Sequence, residues 1–256
     1  MRRRMGRAAL ASGVALVLAG VGLGLGTGVA DANSTGSQKL GVPAYWAPYG
    51  AGVAAFDQLA DATATVEIVV VNGPTSSPPK PFDPATGAQV RKLTRAGATV
   101  LGYVDTGYLG RTGMVTTRVN PGSTRPEDWR DVYHAIAGKL RKREPDAFVA
   151  LNPGTDAEEC YADVGDTVVI FENTYAAYQL WTPPAWVDRH PAKMFWHLVH
   201  DAGTRAMMRD AVRLSKRRHA GYLYVTDDTI ASGAPWDSLP PNGYWLDELR
   251  RVGQRA

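Results

Sequence analysis

Thr167-Val-Val-Ile-Phe-Glu172 is an unbroken β-branched and aromatic run that ends on a carboxylate. A strand with one face in water alternates apolar and polar residues. This run does not, so it reads as a strand buried on both faces, as in a parallel sheet. Two further stretches repeat the pattern: Thr99-Val-Leu-Gly-Tyr-Val-Asp105 and Tyr222-Leu-Tyr-Val-Thr-Asp227-Asp228. The C-terminal ends of parallel strands are where α/β barrels and open α/β sheets bind their ligands. Carboxylates at three such ends predict an acidic pocket that does chemistry on an uncharged substrate. The plainer alternative for any one of them is a cap on the following helix.

Outward from these strands, the chain alternates strand and helix. Strands are expected at Lys39–Trp46, Thr65–Val71, Thr99–Asp105, Ala147–Asn152, Thr167–Glu172, Lys193–His200 and Gly221–Asp227. Helices are expected at Ala51–Leu59, at Ala85–Ala96 stopped by Gly97, at Thr204–His219 with a basic last turn, and at Tyr244–Val252. Thr124-Arg-Pro-Glu127 has the form of a capping box and opens a helix through Trp129, Val132, Ile136 and Leu140. Residues 73–84, rich in Pro and Ser, and residues 106–123 read as loops. Strands joined by helices or long crossings imply a parallel sheet. The expected architecture is α/β, a (β/α)8-type TIM barrel in which seven of eight strands are recognisable. The widest spacing lies between Asp105 and Ala147. Its only strand-like stretch, Met114–Val119, is too polar to be buried on both faces.

The N-terminus reads as a leader. Met1–Arg7 is a basic head, Ala8–Val29 is an uncharged apolar stretch rich in Gly, and Ala30-Asp-Ala32 is a small-x-small cleavage site. The expected organisation is a signal peptide at 1–32, a linker at 33–38 and a barrel at 39–256. The protein is then secreted and not stably inserted in a membrane; a retained N-terminal membrane anchor is the rival. Residues 1–32 hold four Arg and one Asp, against 28 basic and 25 acidic side chains in the whole chain, so the remainder carries equal numbers of each sign. The basic balance therefore belongs to the leader, and no electrostatic case for nucleic acid survives. A neutral body with seven Trp and eleven Tyr suits a neutral ligand such as a sugar. Cys160 is the one cysteine, so the chain holds no internal disulfide.

Ten stretches in order carry a family likeness. They are Val42-Pro-Ala-Tyr-Trp, Val70-Val-Asn, Leu101-Gly-Tyr-Val-Asp-Thr-Gly-Tyr108, Leu151-Asn-Pro-Gly-Thr155, Cys160-Tyr, Ile170-Phe-Glu172, Trp196-His-Leu-Val-His200, Tyr222–Asp228, Leu239-Pro and Tyr244-Trp. Together, over roughly residues 40–250, they resemble the spherulin-4-like glycoside hydrolase family. The resemblance implies a secreted (β/α) barrel acting on amino-sugar polysaccharide, with endo-α-1,4-galactosaminidase activity, and makes Glu172 a catalytic carboxylate. It also implies a strand of the type Gly-Ile-Phe-Phe-Asp-Glu between the Tyr-Val-Asp and Asn-Pro-Gly strands, whose acidic pair completes the machinery. No such strand is written here. Pro126-Glu-Asp-Trp129 runs directly into Arg130-Asp-Val-Tyr133, as though one βα unit of about 30 residues were absent. The strand count reaches the same gap independently.

Glycoside hydrolysis needs two carboxyl groups about 5 to 10 Å apart. Glu172 supplies one, and Asp105, Asp227 and Asp228 are the candidates for the other, with Asp105 taken as catalytic. Tyr45, Asn72, Tyr103, Asn152, His197, Asp227 and Asp228 are expected to bind substrate, although Tyr45 and Trp46 also suit barrel filling and the Asn residues suit turns. His197 and His200, three apart on a strand, face opposite ways and do not share a metal. Nothing in the sequence calls for a metal or another cofactor. Three readings follow: a secreted glycosidase on polysaccharide, a carbohydrate-binding pseudoenzyme that lost its second carboxylate, and a truncated gene product.

Overall fold

The computed structural model describes residues 15–18, 37–72, 83–106, 125–153 and 157–254; residues 15–18 and Asp105 are described in their backbone alone. The strands are β1 (Ala15–Leu18), β2 (Lys39–Ala44), β3 (Val66–Val71), β4 (Thr99–Asp105), β5 (Val149–Asn152), β6 (Thr167–Thr174), β7 (Phe195–His200) and β8 (Tyr222–Val225). The helices are α1 (Ala51–Asp61), α2 (Pro84–Ala96), α3 (Pro126–Arg141), α4 (Tyr175–Leu180), α5 (Arg205–Arg217) and α6 (Asn242–Gly253). Strands β2 to β8 run parallel, and with β1 they close a barrel in the order β1-β4-β3-β2-β8-β7-β6-β5. The α/β barrel expected from the sequence is the fold observed, with all seven recognised strands in place.

The seam lies where the sequence places it. Strands β4 and β5 do not pair with each other. Between them runs β1, antiparallel to both, with Ala15 opposite Asp105 and Asn152 and Leu18 opposite Gly102 and Val149. Among the described residues between Asp105 and Val149 there is α3 and no strand. The eighth position is thus filled by a stretch of the segment read as a leader, to which the sequence analysis assigned no place in the barrel. Ala15-Leu-Val-Leu18 is apolar and short, so the periodicity that marked it as leader also suits a strand buried on both faces. The basic head, the expected cleavage site, the strand-like Met114–Val119 and the Pro-rich 73–82 lie outside the described residues. Among the described residues no helix is long and apolar enough to cross a membrane.

Local chemistry explains the ends of the elements. Asp83 caps α2 by accepting from the backbone N–H of Ala85 and of Thr86, with Pro84 in the first turn and Gly97 closing the helix. Thr204 caps α5 at Met207 N–H, and Lys216 and Arg217 sit in its last turn. Thr124, where a capping box was expected, lies outside the described residues. Helix α3 starts at Pro126, so the N-cap is Arg125, which makes no side-chain cap and pairs instead with Asp128. Helix α4 is too short and aromatic for a clear helical period, and the sequence reading passes over it. Its N-cap is Thr174, whose hydroxyl accepts from Ala177 N–H at 3.1 Å, so β6 turns into the helix within two residues of Glu172.

Two apolar layers hold the barrel. The interior is packed by Trp196, which lies so close to β2 that a Cβ on Gly41 would come within 2.6 Å of the indole. Only glycine fits there. Deeper, Tyr222 donates to Glu67 at 2.7 Å. Outside, Trp129 and Tyr133 of α3 pack against Leu151, Val168 and Ile170 of β5 and β6. In β/α barrels the site lies at the C-terminal ends of the strands.

Candidate functional site at the barrel mouth

Glu172 is the hub of the mouth. It sits two residues before the end of β6, and each oxygen of its carboxyl accepts a hydrogen bond. Asn152, the last residue of β5, donates through Nδ2 to Oε2 at 2.5 Å. Trp236, from the loop after β8, donates through its indole Nε1 to Oε1 at 3.0 Å. The side chain is half-buried by surface yet lies deep below the rim, and burial pushes its carboxyl above the usual carboxylate range. The hydrogen bonds from Asn152 and Trp236 pull the other way without cancelling the shift.

Across from Glu172 stand two tyrosines. Tyr45, just past β2, meets Tyr103 of β4 edge-on with ring centres 5.6 Å apart. Burial, then the charge on Glu172, then Tyr103, raise the phenol of Tyr45 well above its ordinary value, so it stays a neutral hydroxyl. The backbone N–H of Tyr45 donates to the carbonyl of Trp236 at 3.0 Å. The residue that holds Glu172 is thereby tied to the loop that carries Tyr45.

The wall next to Trp236 comes from β7 and β8. The Trp236 ring lies 5.9 Å from His200 and 5.9 Å from Tyr224, centre to centre. His200 is 2 % exposed, and burial lowers its pKa, keeping the imidazole neutral. The loops after β7 and β8 are joined by Asp201 N–H to Asp228 C=O at 2.9 Å and Ala202 N–H to Thr226 C=O at 3.1 Å. Asp227 is partly buried at this end, and burial and the neighbouring Asp228 raise its carboxyl. The Asp228 carboxylate accepts the Ser238 hydroxyl. Behind them Glu248 of α6, fully buried, accepts the N–H of Val225 at 2.8 Å; burial keeps it well above the carboxylate range. The β2–β8 pairing ends at Leu40 and Leu223, and Glu248 takes the ladder position that β2 leaves empty.

The structure therefore brings Tyr45, Tyr103, Asn152 and Glu172 together at the mouth, with Asp227 and Asp228 at the end of β8. Asn72 follows β3, half-exposed, with its Oδ1 buried and without a partner among the described residues. Asp105 ends β4 opposite Ala15 of β1, and its side chain lies outside the described residues. His197 does not join the group. Along β7, Trp196 and His200 face the interior, so His197 points outward. There its Nδ1 meets the Tyr178 hydroxyl of α4 at 2.7 Å, its ring packs on Trp181 at 5.1 Å, and burial and Arg218 lower its pKa to about 3. It is a structural imidazole between barrel and helix, not a substrate contact. The residues that the sequence reading missed are Trp236, His200 and Tyr224. A Trp in the loop between an acid-ended strand and the last helix was the available signal for the first.

A cleft of about 410 Å³ lies elsewhere. Arg141, Asp146, Phe148, Asp163 and Asp166 line it at the N-terminal ends of β5 and β6. Asp166 there accepts from Arg141 at 2.8 Å and from Val149 N–H at 2.7 Å. That end of a β/α barrel serves stability rather than chemistry. No group of three or more His, Cys, Asp and Glu suited to a metal occurs among the described residues.

Comparisons with known proteins agree with the fold and the site-bearing half. The crystal structure of Aspergillus clavatus Sph3 in complex with GalNAc superposes with a TM-score of 0.58 at 20% identity, covering 86% of this chain and 99% of that one. Spherulin-4 of Physarum polycephalum is 26% identical over 223 residues, which is 77% of this chain and 65% of that protein. The chain thus spans about two thirds of the length of that curated relative. The model of spherulation-specific family 4 matches residues 121–252, which run from α3 through β5, β6, β7 and β8 to α6 and include Asn152, Glu172 and Trp236. The chain belongs to spherulation-specific family 4.

Proposed function

We propose that the mouth is a carbohydrate site, that its ligand is an amino-sugar polysaccharide containing galactosamine, and that Glu172 acts there as a general acid. The observation that carries this reading is a deep carboxyl gripped by Asn152 and Trp236 and raised by burial, facing two tyrosines. Burial that favours the protonated carboxyl over the carboxylate suits Glu172 to donate that proton, and protonation of the glycosidic oxygen is the step that such a group performs. Tyr45 and Trp236 offer aromatic surface to the apolar face of a sugar ring, and Asn72 offers an amide to its hydroxyls. GalNAc bound to the structurally similar Sph3 supports the ligand class. The second carboxylate required for hydrolysis is assigned to Asp105 at the end of β4, with Asp227, whose own carboxyl is raised, as the alternative. The basic head and apolar run at the N-terminus support export, with the leader retained, since cleavage after Ala32 would remove β1 from the barrel.

One observation favours a second reading, sugar binding without cleavage. The barrel position between β4 and β5 is held by Ala15-Leu-Val-Leu18, a run with no acidic residue. Incubation with a galactosamine-containing polymer separates the two. Release of reducing ends by the wild-type chain, abolished in Glu172→Gln, supports the hydrolase. Retardation on a polymer affinity gel with no product supports the binding protein. Neither product nor retardation rejects both.

A further inference from the structure

Tyr49 is 67% exposed, and it is the only aromatic among the large hydrophobic side chains left open by the described residues. A single exposed apolar side chain is ordinary on a protein surface. What sets Tyr49 apart is its place and the construction of the turn that carries it. It lies in the loop between β2 and α1, at the C-terminal face of the barrel, four residues from Tyr45. Four residues span at most about 14 Å, so Tyr49 stands within a few sugar units of Tyr45 at the mouth.

The turn is built, not slack. Trp46, 7% exposed, anchors its start against Phe56, with ring centres 5.5 Å apart. Gln89 of α2 donates through Nε2 to the carbonyl of Pro48 at 3.1 Å, the residue directly before Tyr49. Gly50 has φ 60°, a left-handed conformation that favours glycine. At Gly52 a Cβ would sit 1.8 Å from the carbonyl oxygen of Ala47, so no other residue fits. The N–H of Gly52 donates back to the carbonyl of Tyr49 at 3.2 Å. With the backbone of the turn held this firmly, stacking costs only the two side-chain torsions of Tyr49, and this low cost makes an exposed aromatic an effective platform.

We infer that Tyr49 is an outer binding platform of the mouth, stacking on a sugar unit that lies beyond the one at Glu172, so that the site takes a chain of sugars rather than a monosaccharide. This rests on the carbohydrate reading above and adds to its polysaccharide ligand a second point of contact, at the rim. The start of the β2–α1 loop and the carboxyl of Glu172 are linked through the Tyr45–Trp236 backbone hydrogen bond and the Trp236 indole.

Calorimetric titration of the full chain with galactosamine oligosaccharides and with N-acetylgalactosamine tests it. The expected result is that wild type binds the oligosaccharide more tightly than the monosaccharide. Tyr49→Ala then weakens the oligosaccharide about 3- to 10-fold and leaves the monosaccharide unchanged, while Tyr49→Phe and Tyr49→Trp keep wild-type affinity for both. Leu180→Ala, at an 89% exposed site in the last turn of α4, changes neither and controls for a general surface effect. Full retention of oligosaccharide affinity by Tyr49→Ala overturns this inference alone. Failure of the wild-type chain to bind either sugar overturns the carbohydrate reading and this inference with it.

Discussion

Glu172→Gln is expected to make the protein more stable while disabling its site. In the folded chain, burial raises the Glu172 carboxyl, so the ionised form is the costly one. Removing a carboxylate from water costs several kcal/mol, and two hydrogen bonds to a charged group return about 1.5–3 kcal/mol each. The raised pKa means that the return falls short, so ionisation of Glu172 costs stability in the folded chain. Glutamine removes the charge and keeps the contacts. Its Oε1 accepts from the Trp236 indole, which cannot turn, and its amide donates to Asn152 once the Asn152 amide flips. The sign with pH follows from linkage. A group raised in the folded state contributes its stability below the unfolded pKa and loses it as pH rises through the folded pKa. Wild type and variant should therefore match at acidic pH and diverge on the alkaline side, the variant melting higher at neutral pH, where each kcal/mol gained is worth about 2–4 °C for a chain of this size. Thermal melts across pH 4–8, followed by circular dichroism, measure it. A variant less stable at neutral pH, or a difference that does not change with pH, would refute the claim that Glu172 sits in the mouth as an energetically unfavourable carboxylate.

Four other expectations can be checked on the same protein. Trp236→Phe keeps the ring beside His200 and Tyr224 but removes the donor to Glu172, so its carboxyl should rise further and sugar affinity fall by roughly tenfold in calorimetry. His197, buried neutral with a pKa near 3, binds a proton only when the chain unfolds, so stability should fall as pH drops from about 6.5 toward 3. His197→Gln, which can still bond Tyr178, should flatten that part of the urea-unfolding profile; an unchanged slope contradicts the placement. Glu248→Ala would leave the Val225 N–H and a cavity behind it, costing about 2–4 kcal/mol by chemical denaturation, whereas Glu248→Gln should cost well under half of that. Val17→Pro removes a ladder donor between β4 and β5, and in the full chain should lower stability by roughly 2–3 kcal/mol. An unchanged denaturation midpoint would show that the barrel does not depend on β1.

The strands were legible because burial on both faces leaves an unmistakable pattern. Thr99–Asp105 was delimited to the residue, and Thr167–Glu172 fell two short because Thr174 serves both strand and helix cap. Glu172, Asn152, Tyr45 and Tyr103 were legible because strand ends at a barrel mouth converge whatever the loops do. What escaped had long-range causes. Trp236 joins the site through a loop whose path no local pattern sets. His197 was misplaced although its orientation relative to His200 was read correctly: alternation tells that two residues oppose, not which of them faces in. The missing βα unit was visible as a gap, but a gap in sequence does not say what fills it in space. The antiparallel insertion of Ala15–Leu18 is a pairing between segments more than 80 residues apart.

The central claim is that an amino sugar enters the mouth and meets the carboxylate that Asn152 and Trp236 hold. The indole N–H of Trp236 reports on that contact directly, since it donates to Glu172. Its resonance is assigned by its loss in Trp236→Phe, and it is followed while galactosamine oligosaccharide is added to the 15N-labelled full chain. The account predicts a saturable shift of this indole signal in wild type and a reduced or absent one in Glu172→Gln. An indole signal that stays fixed while wild-type chain binds the sugar would place the ligand elsewhere and contradict it.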